Sequence, residues 1–125
     1  MIRVLIADDS DNFRRTLSIL LEREPDIAVV GVAADGIEAA ERVGELLPDV
    51  VVMDVVMPNM DGLEATRRIK QTHPSVGVLM LSGSPDYAEA SIAIGADGYL
   101  TKPFEREELL LRLRNIAARY EQEAR

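Results

Sequence analysis

Acidic residues stand directly after short apolar runs at two places in the chain: Asp8 and Asp9 follow Ile2 to Ala7, and Asp54 follows Val50 to Met53. Two further runs end in other reactive groups, Ser82 after Val76 to Leu81 and Lys102 after Gly98-Tyr99-Leu100-Thr101. Three carboxylates brought together repel one another, and without counter-charge at least one is driven to keep its proton. A hard divalent cation resolves that conflict. Magnesium takes few protein carboxylates, keeps several waters and pairs with phosphate oxygens, and manganese is the alternative. Lys102 adds a second positive group, and Ser82 a hydroxyl donor. This set suits phosphoryl transfer, in which catalysis is mostly positioning and charge neutralisation. A carboxylate can itself be the nucleophile and become an aspartyl-phosphate.

Positioning such a set requires elements that end at one edge. The apolar runs Ile2–Ala7, Ile27–Ala33, Val50–Met53, Val76–Leu81 and Gly98–Leu100 are mostly rich in Val and Ile on consecutive positions, as strands buried on both faces read. Helical segments alternate with them. The first carries Phe13, Leu17, Leu20 and Leu21 on one stripe, with Asp9, Ser10 or Asp11 as its cap. The second and third open with Asp35-Gly36-Ile37-Glu38 and Asp61-Gly62-Leu63-Glu64, capping-box variants with Asp as cap. The fourth opens at Ser84-Pro85 and stops at Gly95, and the fifth begins near Phe104. This alternation predicts one α/β domain with a doubly wound parallel sheet and helices on both faces. In such a sheet ligands bind beyond the carboxyl ends of the strands. Asp8, Asp9, Asp54, Ser82 and Lys102 all stand there, whereas the second strand offers only the capping Asp35.

Composition narrows the chemistry. The 125 residues carry 22 Asp and Glu against 14 Lys and Arg, a net charge of −8, which speaks against direct nucleic-acid binding. With no Cys and one His, thiolate zinc sites, cysteine nucleophiles and multi-His metal sites are excluded. No long charge-free apolar run suggests a membrane span, and the lack of Cys and of an export signal leads us to expect the cytoplasm. Asp9-Ser10-Asp11 hints at a calcium loop, but Phe13 occupies the next ligand position. Arg67, Arg68 and Lys70 read as a solvated face, Arg14 and Arg15 as solvent-facing, and His73 as a surface residue at a helix end.

The pieces together resemble the receiver domain of bacterial two-component response regulators. The resemblance rests on Asp8-Asp9, on Asp54 within Val50-Val51-Val52-Met53-Asp54-Val55-Val56-Met57-Pro58-Asn59-Met60-Asp61-Gly62, on Ser82, on Gly95-Ala96-Asp97-Gly98-Tyr99 and on Lys102-Pro103. It spans nearly the whole chain and is most similar to regulators with a C-terminal helix-turn-helix, the NarL/LuxR type, although no such domain lies in these residues. The resemblance implies a flavodoxin-like (βα)5 fold with strand order 2-1-3-4-5. It implies Asp54 as phospho-acceptor, Asp9 and Asp54 as direct Mg²⁺ ligands, Asp8 as a ligand through water and the Val56 backbone carbonyl as a further one. Lys102 is then the phosphate-binding lysine, Ser82 and Tyr99 the switch pair, and Lys102-Pro103 a cis peptide. Val56 and Ser84, each two residues beyond a site residue, are expected to tune phosphoryl lifetime.

The implied partner is a sensor histidine kinase or phosphotransfer protein, with docking near the first helix. A homodimer through the face of the fourth helix, fifth strand and fifth helix would follow phosphorylation. The domain would catalyse its own phosphorylation and dephosphorylation without being an enzyme in the ordinary sense. Two other readings compete. A haloacid-dehalogenase-like phosphatase also uses an Asp nucleophile, but needs a second Asp where Val56 stands. A receiver-like module used only for protein contacts would have no need of three mutually repelling acids. We expect a single domain over residues 1–125, with a core to 121 and a tail or linker start at 122–125.

Overall fold

In the computed structural model, which describes residues 1–123, five strands and five helices alternate. The strands are β1 (Ile2–Ala7), β2 (Ile27–Ala33), β3 (Val50–Asp54), β4 (Gly77–Ser82) and β5 (Gly98–Thr101). The helices are α1 (Asp11–Glu22), α2 (Gly36–Leu46), α3 (Gly62–Thr72), α4 (Ala88–Ala93) and α5 (Arg106–Glu123). All strand pairs are parallel, in the order β2-β1-β3-β4-β5. This is the flavodoxin-like order expected from the resemblance.

The runs of consecutive apolar residues serve two cores at once. Leu5, Val51, Met53, Val78 and Met80 point to the face that also buries Ala39, Val43, Ala65 and Ile69 of α2 and α3. Their neighbours Val4, Ile6, Val50, Val52, Leu79 and Leu81 point to the face that buries Leu17, Leu21, Leu109, Leu113 and Ile116 of α1 and α5. Each such side chain contributes roughly 1.5–3 kcal/mol by leaving water, so the central strands form a stiff support. The edge strand β2 departs from the both-faces expectation: only Ile27 and Ala33 are buried in it, and among the described residues no strand pairs with its outer side. A bulge at Val30 shifts its register against β1 between Val4 and Leu5.

β1 and β2 end where their apolar runs end, whereas β3, β4 and β5 each run one residue further. Asp54 pairs with Leu81 and Ser82 with Thr101, so two reactive side chains are held in the sheet rather than on loops. At α1 the cap is Ser10, whose Oγ accepts from Phe13 N at 3.2 Å, which leaves Asp9 out of capping. Asp35 and Asp61 cap α2 and α3, accepting from Glu38 N at 2.8 Å and Glu64 N at 2.9 Å. The fourth helix differs from expectation. Ser84 caps only a 3₁₀ turn, Pro85–Tyr87, and α4 itself runs over six residues. The Ser84 hydroxyl accepts from Asp86 N, two residues on, which favours the tighter turn. The fifth helix starts at Arg106 rather than near Phe104, with the Glu105 carbonyl accepting from Glu108 N and Leu109 N. It continues through Gln122 and Glu123, and residues 124 and 125, the end of the expected tail or linker start, lie outside the described residues. No helix among the described residues is long and apolar enough to cross a membrane.

Candidate functional site

The ends of β1, β3 and β5 converge on one polar cluster. Ligand oxygens of Asp8, Asp9 and Asp54 all lie within 4.8 Å of one another. Asp8 is buried, with its Oδ1 accepting from Ser10 N at 2.9 Å and its Oδ2 from Lys102 Nζ at 3.1 Å. Asp9 is exposed and Asp54 lies between the two in burial. Lys102 is placed by its own backbone, whose N–H donates to Ser82 O at 2.7 Å, and by the ring of Phe13, 4.0 Å below the ammonium. The Lys102–Pro103 peptide bond is cis.

Asp54 has its carboxyl pushed up to about 6, first by burial. Lys102, with its ammonium 4.0 Å away, offsets part of that burial, and the carboxylates of Asp8 and Asp9 add to the rise. A site that leaves a carboxyl short of positive charge fits a hard divalent cation, whose preferred donors are the oxygens gathered here. Gly62 allows the close approach behind Asp54. A Cβ there would lie 1.9 Å from the Asp54 carbonyl oxygen, and its N–H donates to Val55 O at 2.7 Å.

Ser82 is buried at the end of β4, and its Oγ accepts from Ser84 N at 3.2 Å. Tyr99 is half-buried on β5 and donates its hydroxyl to the Ser84 carbonyl. Ser84 thus bridges Ser82 and Tyr99 through its backbone. Val56 is exposed on the loop that follows Asp54.

Several residues that matter here were legible in sequence only for other reasons. Phe13 reads as a member of the α1 apolar stripe, yet its ring carries Lys102. Arg14, expected to face solvent, donates Nη1 to the Asp8 carbonyl at 2.6 Å and pairs with Asp11, because α1 begins at Asp11 and leaves the Arg14 side chain within reach of the end of β1. Lys70 departs furthest from expectation. Instead of a solvated face it forms a largely buried hub, donating to Val76 O at 2.7 Å, Asp97 Oδ2 at 2.8 Å and Tyr120 Oη at 2.7 Å. Its neighbours Arg67 and Arg68 remain at the surface and share Glu64. His73 closes α3, its N–H donating to Ile69 O, and its ring meets Thr72.

Comparison with known proteins agrees with this geometry. Residues 4–114 match the family model of the response regulator receiver domain. Over 108 residues the chain is 49% identical to a protein-glutamate methylesterase/protein-glutamine glutaminase of Geobacter metallireducens, covering 82% of this chain but 31% of that protein. The chain therefore spans about a third of the length of this relative. It is 40% identical to the chemotaxis protein CheY of Halobacterium salinarum over 86% of this chain and 90% of that one. A LuxR-family two-component response regulator from Aurantimonas sp. superposes with a TM-score of 0.90 at 36% identity, covering 94% of this chain and 86% of the other. The family match takes in every residue of the cluster, on the strand order the cluster requires, and the chain belongs to the response regulator receiver domains of two-component phosphorelay signalling.

Proposed function

We propose that Asp54 accepts a phosphoryl group from a phosphohistidine on a sensor histidine kinase or phosphotransfer protein. An Asp54 carboxylate oxygen attacks phosphorus, the P–N bond breaks and its electron pair stays on the imidazole nitrogen. The observation that carries this reading is the placing of Asp54. It is held in the sheet with Lys102 Nζ 4.0 Å away and with oxygens of two more acids within 4.8 Å. Asp9, Asp54 and the Val56 carbonyl would hold Mg²⁺ or Mn²⁺ directly, with Asp8 acting through water. Such an ion would supply charge neutralisation for the carboxylates and the phosphoryl oxygens. Lys102, within 4.0 Å of Asp54 and paired with Asp8, would take a phosphoryl oxygen.

The switch uses groups already linked. A dianionic phosphoryl group on Asp54 draws the Ser82 hydroxyl toward it, which disturbs the bond from Ser84 N and, through the Ser84 carbonyl, the hold on Tyr99. The response spreads over α4, β5 and α5, where Ile92 and Leu111 are exposed apolar side chains suited to a homodimer. Val56, apolar and two residues after the acceptor, disfavours a water-orienting hydrogen bond and lengthens the phosphoryl lifetime, and Ser84, two residues after Ser82, tunes it as well. The domain works in the cytoplasm and binds no nucleic acid itself. Regulation of transcription would pass through a helix-turn-helix domain elsewhere.

Labelling by acetyl phosphate with Mg²⁺ tests the assignment. Asp54→Asn abolishes labelling, whereas Ser82→Ala keeps some labelling but loses the phosphodonor-driven change in oligomeric state. Retained labelling of Asp54→Asn overturns the reading.

A further inference from the structure

The loop between β3 and α3 follows Asp54 directly and carries Val56. Its near end is fixed by Gly62 N donating to Val55 O at 2.7 Å. Its far end is fastened to a different part of the molecule, the N-terminus of α2. Asn59 donates Nδ2 to Asp35 Oδ2 at 2.8 Å, across 24 residues of sequence. The next residue accepts in turn, Gly36 N donating to Met60 O at 2.9 Å.

These ties have specific requirements. Asn59 has a φ of +67°, a left-handed conformation that Asn tolerates better than most side chains. A Cβ on residue 36 would lie 2.3 Å from the Met60 carbonyl oxygen, so only glycine admits the second bond. Asp35 itself is held still, because its other oxygen caps α2 on Glu38 N at 2.8 Å while Glu38 Oε1 accepts from Ala34 N at 3.1 Å. The two jobs of Asp35 therefore use separate oxygens. Capping needs Oδ1 alone, and the bond to Asn59 adds nothing to helix formation.

We infer that Asp35 and Asn59 form a paired positioning device for the cation site, holding the loop that presents the Val56 carbonyl. The inference rests on the proposed reading of that carbonyl as a ligand. Neither residue belongs to the acid cluster, so losing their bond leaves Asp8, Asp9 and Asp54 intact and acts only through the loop.

The test titrates Mg²⁺ calorimetrically into the full chain and into Asn59→Gly, Asp35→Ser and the double variant. Urea unfolding without metal is followed in parallel. Glycine keeps the positive φ and removes the amide, while serine keeps a helix cap and removes the second acceptor. Each single variant is expected to bind Mg²⁺ about tenfold more weakly, the lower end of losses seen when a ligand's support is removed. The double variant should lose no more than either single one, since both remove the same bond. The unfolding midpoint of Asn59→Gly should stay near that of the parent. Full Mg²⁺ affinity in Asn59→Gly, or losses that add in the double variant, overturns the inference. Asp9→Asn serves as the control. If it loses Mg²⁺ while Asn59→Gly keeps it, the cation site stands and the positioning role falls. If the parent chain takes up no Mg²⁺, both fall.

Discussion

Lys102 stands nearer to Asp8 than to Asp54, its ammonium lying 3.1 Å from Asp8 Oδ2 and 4.0 Å from Asp54 Oδ1. The more buried carboxylate thus takes most of the available positive charge. Asp54, the candidate acceptor, keeps a deficit that a cation or a phosphoryl group's own metal would meet.

That deficit has a consequence for stability. The Asp54 pKa rises from 3.8 to about 6 on folding, so between those values the native state binds more protons than the unfolded chain. Stability without metal therefore falls as pH rises through that window and stays reduced above it. The full displacement corresponds to about 3 kcal/mol, and water at a half-open site reduces it to about 1–2 kcal/mol. Asp54→Asn should be more stable than the parent by about that amount at pH 7.5 without Mg²⁺. The difference should shrink toward pH 4. Parallel urea-unfolding stabilities across this range would show that burial of Asp54 is not its source.

Removing the lysine charge should act on the neighbouring acid first. Lys102→Met leaves the Asp8 carboxylate buried with only Ser10 N to satisfy it, an expected loss of about 2 kcal/mol. Added Mg²⁺ should restore part of that loss. Unfolding midpoints with and without Mg²⁺ check this, and an unchanged midpoint in the metal-free variant would refute it.

Gly62→Ala should be costly although the added group is one methyl. Its Cβ would lie 1.9 Å from a backbone oxygen of Asp54, and backbone cannot swing away as a side-chain tip can. We expect about 3 kcal/mol of destabilisation together with weaker Mg²⁺ uptake, since the strand end bearing Asp54 must shift. Circular dichroism in urea and calorimetric titration read the two effects separately. A variant with parental stability would contradict the close approach.

The Lys70–Asp97 pair lies away from the site and ties α3 and α5 to the entrance of β5. Asp97 accepts from Val78 N at 2.8 Å and Tyr120 Oη at 2.7 Å and pairs with Arg119, besides its bond from Lys70. Asp97→Ala leaves an amide and an ammonium short of partners and should cost about 3 kcal/mol. Lys70→Met leaves Asp97 three donors and should cost about 1 kcal/mol. Urea unfolding of the two variants gives the order, and a larger loss for Lys70→Met would make the lysine the centre of the cluster.

Local signals accounted for most of the fold. Consecutive Val and Ile runs specify strands that need cover on both faces, and an Asp three residues before a Glu specifies a cap within one helical turn. Such information lies within a few residues, so it survives in the sequence, as do the places of Asp8, Asp9, Asp54, Ser82 and Lys102 beside their strands. The tertiary structure alone decided which charges meet. Lys102 finds Asp8 across 94 residues, Lys70 finds Asp97 across 27, and Asn59 finds Asp35 across 24. Helix periodicity marks Lys70 only as one member of a basic run, and its burial depends on where α5 brings Tyr120. Likewise β2 reads like any buried strand until the crossover connections leave it at the edge. A side chain's partner is chosen by distance in the folded chain, which local propensity does not encode.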